Sequence, residues 1–451
     1  MGIFGALTTA ISGLRAQSFA LELISDNIAN SQTIGFKRTE SIFSDLVADS
    51  VPGKQRGGSV QGLSRATNTV QGDLKDSSVP THAAINGDGY FIVEEKGGEL
   101  DGNPIFLGID RYTRRGDFEL DRGGRLVNSA GYYLKGLKID PVTNNPAGGT
   151  PEVMSVSNDF LPARATTTVS YKANLPSYPK TALADPAVAG SELLTAAAFS
   201  NDPTAGNDET VVGSDITAFI DRSIAGGAIT AYNASGGPVN IQLRWGKISS
   251  TTWNMFYQAD PTATGATVAW RNAGTNYVFD SAGKLNPAIN SINIANLTVS
   301  GDNLGTVKFD HGSSAVTQFA DPNGSVKVTQ IDQDGYASGE LSAISISQAG
   351  RVVGSYSNGK TLELYEISLA SFNADGALKK YEGGAYGATR DSGTAIIGAQ
   401  GKIISSKLEG SNSDIADEFS KLIVTQQAYA AGTRIVTTAD EMLKEVLNMK
   451  R

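Results

Sequence analysis

The sequence predicts a multidomain, mainly β chain with an α-helix at each end. The N- and C-terminal helices pair as a coiled-coil-like core domain, and nested, discontinuous antiparallel β domains loop out between them. Three observations carry this. From Ser413 to Leu447, Ile415, Leu422, Tyr429, Val436 and Leu443 recur every seven residues, with Phe419 and Leu447 on the partner positions of the same seam. At the other end, Leu7, Leu14, Leu21 and Ile28 form a second heptad row, with Ile3, Ala10 and Ile24 beside it. Between the ends, short apolar runs alternate with period two, and 51 glycines punctuate them.

Neither helix is expected to stand alone. Gln426, Thr433 and Asp440 occupy the remaining seam positions, so the C-terminal seam is only half apolar, and a helix of that kind needs a partner. The termini therefore pair, and 1–30 with 411–451 form one domain.

In chain order, Asn27, Asn30 and Ser31 supply helix-stop chemistry and Gly35 a turn. Residues 31–80 read as an extended connector, since 51–72 hold few large apolar side chains. Strands begin near Ala83; Tyr90 to Val93 is a short buried strand entered through the turn Asn86 to Gly89. Hairpins follow from Arg111 to Gly136, and Pro141 to Gly149 reads as a linker. The inner β domain is thus 81–145 with 332–405, and 146–331 is an inserted outer β domain of one or two lobes. Within the insert, Val239, Ile241, Leu243 and Trp245 alternate, as do Trp253, Met255 and Tyr257, and then Ile292 and Ile294. Trp245, Trp253 and Tyr257 fit core positions better than a glycan platform. Residues 180–215 carry the weakest pattern.

Composition excludes several classes. Net charge is −9 and no basic block stands out, which argues against nucleic acid. There is no cysteine, so disulfides and thiolate metal sites are absent. No apolar run reaches membrane-spanning length, and the N-terminus lacks the basic, continuously apolar form of a cleaved leader. The two histidines, His82 and His311, read as surface loop residues, and no ordinary zinc set exists. Asp332 to Gly335 is a turn rather than a calcium loop, because its glycine comes too early and no twelfth-position glutamate follows. The glycines at 86–89 and 122–124 lack a phosphate-loop ending. No catalytic, cofactor or metal residue is expected, and the chain is not read as an enzyme.

Several stretches resemble the flagellar rod and hook subunit family. They are Ser12-Gly13-Leu14, Asp26 to Lys37, Gly89 to Val93, Tyr112 to Phe118, Tyr356 to Gly359, Ala370 to Phe372, Leu408 to Asn412, Gln426 to Tyr429 and Thr437 to Leu443. The large insert and the ending Thr437 to Leu443 favour a hook member over a distal rod member; an adhesin-like surface β protein is the other alternative. Gln427 stands where the family usually has arginine, and Gly432 interrupts the last helix.

The resemblance implies a structural subunit of a short curved tube, a universal joint carrying motor torque to the filament. It implies a homopolymer whose interface includes Leu7, Leu14, Leu21, Ile28, Ile415, Phe419, Leu422, Tyr429, Val436, Leu443 and Leu447. Its implied partners are the distal rod protein, the hook cap and the hook–filament junction proteins, with no cofactor and no membrane insertion. Export would run through the flagellar type III gate without a cleaved leader. Phe43 with Val47 resembles a gate-recognition motif, whose plainer reading is a local packing anchor.

Overall fold

The computed structural model describes residues 3–46, 59–141, 143–157, 160–313 and 316–448. It divides into two compact units. The first is Met1–Asn158, Leu341–Ser355 and Thr361–Arg451; the second is Asp159–Glu340 with Tyr356–Lys360.

In the first unit, the N-terminal helix is Ile3–Ala29 and the C-terminal helix Ile415–Asn448. At 1.5 Å per residue these are rods of roughly 40 and 50 Å. They pack against each other along their length. Residues 31–80 are not the simple connector expected. Thr39–Leu46 and Ser59–Ala66 form an antiparallel hairpin, from Thr39 opposite Ala66 to Leu46 opposite Ser59. Its sequence hides it because only one side is covered, by the N-terminal helix, so large apolar side chains are not required.

The β part of this unit is a thirteen-stranded assembly centred on Tyr90–Leu100, Asn103–Thr113 and Tyr132–Ile139. The unbroken apolar run Tyr90 to Val93 follows from two cores. Phe91 and Val93 face a cluster with Phe118, Leu126, Leu134 and Ile367. Tyr90 and Ile92 face another with Tyr112, Phe372 and Tyr386. A strand buried on both faces has no polar side to alternate with.

The linker expected at Pro141 to Gly149 is instead a tight return. Asp140 N–H donates to Asn145 O at 3.0 Å, and Pro146–Val153 pairs back on Tyr132–Ile139. Residues 146–158 and 332–340 therefore sit on the other side of the expected domain boundaries.

The second unit holds two five-stranded sheets. One is antiparallel, in the order Thr210–Val212, Val268–Val278, Thr252–Gln258, Pro238–Lys247, Ser223–Tyr232. The other is mixed: Thr168–Pro176 runs parallel to Val307–Asp310 and Val316–Phe319 and antiparallel to Lys327–Gln333. A single core joins them. Trp245, Trp253, Met255 and Tyr277 from the first sheet meet Tyr171, Leu175, Val307 and Phe309 from the second. Trp245, Trp253 and Tyr257 are core residues, as their alternation predicts. Phe256 and Trp270 point to the opposite face, under the short helix Ile216–Asp221 with Phe219.

Both histidines are buried, against the surface reading. His82 accepts or donates at Nδ1 to Ser77 Oγ, 2.8 Å away. His311 is sealed in the second unit's core, with Nε2 2.9 Å from Tyr277 Oη and Nδ1 3.0 Å from Tyr171 O. Turn-forming neighbours such as Asp310 and Gly312 made it look exposed, but a turn can close inward over a core.

Candidate assembly interface

The terminal helices meet along a heptad seam, with one row where it is expected and one shifted. Leu422, Val436 and Leu443 are half-buried, and Tyr429 keeps a partly exposed ring. The second row is Glu418, Thr425, Gly432 and Ala439, one residue before the expected Phe419, Gln426, Thr433 and Asp440. Close approach decides the phase. A Cβ built on Gly432 would lie 2.9 Å from Leu14 Cδ2, so the glycine forms the hole for the Leu14 knob. Gly432 is thus a packing residue, and its cost of about 1 kcal/mol in helix propensity is offset by contact with Leu14. On the N-terminal helix, Leu7, Leu14, Leu21 and Ile28 are half-buried and Ala16, Ala20 and Ile24 buried. Its other side meets the hairpin: Val60 N–H donates to Ser12 Oγ at 3.2 Å, and a Cβ on Gly62 would touch Phe19.

Polar residues set the helix ends. Asp414 Oδ1 caps the C-terminal helix, accepting from Ala416 N–H at 2.7 Å and Asp417 N–H at 3.1 Å. Asn27, read as a helix stop, is a buried three-way clamp. Its amide donates to Glu418 Oε2 at 3.1 Å and Thr39 O at 3.0 Å, and its carbonyl accepts from Thr39 N–H at 3.0 Å. Lys421 Nζ donates to the other Glu418 oxygen at 2.6 Å. The clamp joins both helices to the hairpin.

Below it lies a buried charged junction. Glu409 is fully buried and accepts from Lys37 Nζ and from Gly72 N–H at 2.9 Å; its other oxygen lies 3.6 Å from Arg114 Nη1. Lys37 also donates to Val70 O at 2.6 Å. Arg114 stands 5.3 Å over the Tyr90 ring. Burial lowers the Lys37 pKa despite the pull of Glu409, and Arg114 adds to the lowering. Beside the junction, Asn412 accepts from Arg38 N–H at 2.7 Å and donates to Thr67 and Val70. Gly35 turns at φ 65° hard against the Arg115 backbone, where any Cβ would clash. These contacts tie the helical part to the β part within the first unit.

Several large apolar side chains remain uncovered. On the C-terminal helix, Ile415, Phe419, Ile423, Val424, Ile435 and Met442 are exposed, Val424 at 66%. Ile415 and Phe419 thus lie outside the intrachain seam, unlike Leu422, Val436 and Leu443. On the hairpin, Ile42, Phe43, Leu46 and Leu63 are exposed as well. Val47 and the side chain of Leu447 lie outside the described residues. Sequence reasoning missed Ile423 and Val424, which fall between heptad positions, and the buried polar set Asn27, Glu418, Lys37 and Glu409. No helix among the described residues is long and apolar enough to cross a membrane.

Four family descriptions match along the chain: Flagella basal body rod protein over 7–37, Flagellar hook protein FlgE/F/G D1 domain over 84–159, Flagellar basal body protein FlaE D2 domain over 225–336, and Flagellar basal body rod FlgEFG protein C-terminal over 404–449. Flagellar hook protein FlgE of Brucella suis biovar 1 (strain 1330) is 30% identical over 458 residues, covering 100% of both chains. That of Salmonella typhimurium is 28% identical over 456 residues, covering 99% of this chain and 100% of the relative. The crystal structure of Helicobacter pylori flagellar hook protein FlgE2 overlays with a TM-score of 0.49 at 16% identity, covering 74% of this chain and 100% of that one. With full-length similarity at this level, the chain belongs to the flagellar hook protein family, a family of structural subunits rather than enzymes.

Proposed function

We propose that identical copies of this chain polymerise into the short curved tube of the flagellar hook, a flexible joint passing motor torque to the filament. The observation that carries this is the set of large apolar side chains left in water on the C-terminal helix, Ile415, Phe419 and Ile423 along one flank of the seam and Val424, Ile435 and Met442 along the other. Large apolar side chains exposed in such number along both flanks of one helix mark a protein interface. The intrachain seam is Leu7, Leu14, Leu21 and Ile28 with Leu422, Val436 and Leu443; Ile415, Phe419 and the exposed edge of Tyr429 are for neighbours. Such a contact joins unlike surfaces, does not close, and generates a helix of subunits. The terminal helices then line the tube and the β units form its shells. Its ends meet the distal rod, hook cap and hook–filament junction proteins.

Electron microscopy of polymer grown from the purified chain tests the reading: a curved tube is expected. A straight, rigid tube favours a distal rod subunit, and a persistent monomer with a glycan or matrix ligand favours an adhesin.

The same reading has the chain leave the cell unfolded through the flagellar type III gate, without loss of a leader. Phe43, 44% exposed on the folded hairpin, is not buried as a packing anchor would be, which leaves the gate-recognition reading open to test. Phe43→Asp is expected to cut secretion while the cytosolic protein persists; secretion at the usual level removes the export role.

A further inference from the structure

A second apolar surface lies far from the helices. The hairpin Tyr90–Leu100 with Asn103–Thr113 is buried at its root and exposed over its outer half, so it projects as an arm. Ile105, Leu107 and Ile109 lie along its second strand, where the register shifts twice and Gly108 turns at φ 72°, and are 45, 65 and 50% exposed; Leu100, at the tip, is 65% exposed. Between them, Phe106 is held by an edge-on contact with Tyr133 at 5.0 Å, and Lys135 bonds Glu94 at 3.1 Å and Asp110 at 2.6 Å. One row of the arm is thus fastened down and the other is not. Leu107 folds over Gly97, where a Cβ would lie 2.4 Å from Leu107 Cγ.

At the other end of the same strand lies a recess. Ala370 pairs with Tyr90 and, on its other side, with Ile397. Ile396–Ile397 pairs with no further strand among the described residues, and both side chains are about half exposed, at 50 and 48%. Beside them opens a cleft of 380 Å³ lined by Leu137, Ile367, Leu369 and Ile403, with two charged residues, Glu366 and Lys402. Lys402 has no carboxylate partner among the described residues, whereas the arm tip is net acidic, with Glu95, Glu99 and Asp101 against Lys96. Phe106 faces Lys96, so about six residues of strand, roughly 20 Å at 3.3 Å per residue, separate Leu107 from the Tyr90–Ala370 pair.

We propose that the apolar row of the arm of one copy docks on the Ile396–Ile397 edge and its cleft in the next copy. This rests on the polymer reading and names one of its contacts. Arm and edge are unlike surfaces, and a contact in which each copy's arm meets the edge of the next, repeated head to tail, stays open as the polymer reading requires. The free edge of Ile396–Ile397 offers backbone hydrogen bonds to an incoming strand, and the cleft takes alternate side chains. Glu366 in the cleft is neutralised by Arg351, so the acidic tip and the unpaired Lys402 set the direction of approach.

The chain has no cysteine, which makes the test direct. Leu107→Cys and Ile397→Cys chains are polymerised singly and mixed, then treated with a short bifunctional maleimide. A covalent dimer is expected from the mixture and from neither variant alone. In parallel, Leu107→Asp is expected to raise the concentration needed for polymer at least tenfold with an unchanged circular dichroism spectrum. Polymer that forms normally, yields no mixed dimer and tolerates Leu107→Asp overturns the inference and leaves the polymer reading standing. An unsubstituted chain that never polymerises overturns both.

Discussion

Glu409→Gln is expected to destabilise the first unit by about 3–5 kcal/mol, the range for removing one partner of a buried ion pair. The substitution leaves Lys37 and Arg114 buried without their shared carboxylate. Lys37→Met is expected to cost less, because Glu409 then keeps Arg114 at 3.6 Å and the Gly72 N–H. The two also differ in pH dependence. The Lys37 pKa is already lowered by burial, and in Glu409→Gln the Glu409 terms that oppose that lowering are gone. Between the folded and unfolded values the unfolded chain binds more protons, so stability rises with pH. Glu409→Gln should therefore regain stability on moving from neutral to alkaline pH, and Lys37→Met should lack that gain. Urea unfolding of monomer across the pH range reads both; equal losses with no pH slope would remove the junction's role.

Acidifying the protein is expected to weaken the second unit through His311. Tyr171 O can only accept, so His311 Nδ1 carries the proton and Nε2 accepts from the Tyr277 hydroxyl. A second proton would put a charge in the core and leave the Tyr277 hydrogen without an acceptor. Burial lowers the His311 pKa below its ordinary 6.5, against the smaller upward pulls of Tyr171 O and Asp310. Of the charged groups nearby, Asp310 is only half-buried and is already paired with Lys308, so it offers little compensation. For a histidine with a lowered folded value, stability is complete above about pH 6.5. It falls as pH drops toward that folded value, by up to about 1.4 kcal/mol per pH unit. His311→Gln can keep one donor and one acceptor but not the charge. The expected result is a melting temperature of the second unit that declines with acid in the unsubstituted chain and markedly less in His311→Gln. Parallel declines would assign the acid sensitivity elsewhere.

The architecture was legible where one chemical signal was enough. The row Leu422, Tyr429, Val436 and Leu443 announces the C-terminal helix through its period, and Trp245, Trp253 and Tyr257 announce a core strand through alternation. The second helical row was not legible, because Gly432 and Ala439 were chosen for size and carry no hydrophobic signal. Asn27, Glu418, Lys37 and Glu409 look like surface residues in a sequence; only the fold brings them together, since Lys37 and Glu409 are separated by nearly the whole chain. The paired strands Thr39–Leu46 and Ser59–Ala66 were hidden because Ser59–Ala66 is mostly small and polar, which suits a ribbon with one covered side. The arm's apolar row, Ile105, Leu107 and Ile109, is present in the sequence, but alternation there reads as another half-buried strand.

The account depends on the uncovered side of the C-terminal helix being covered by identical neighbours. Val424, the most exposed apolar residue on it, reports this directly once made Val424→Cys in a chain that has no other thiol. A maleimide is expected to label it fully in monomer and at less than a tenth of that rate in polymer. Equal labelling in both states would contradict the account.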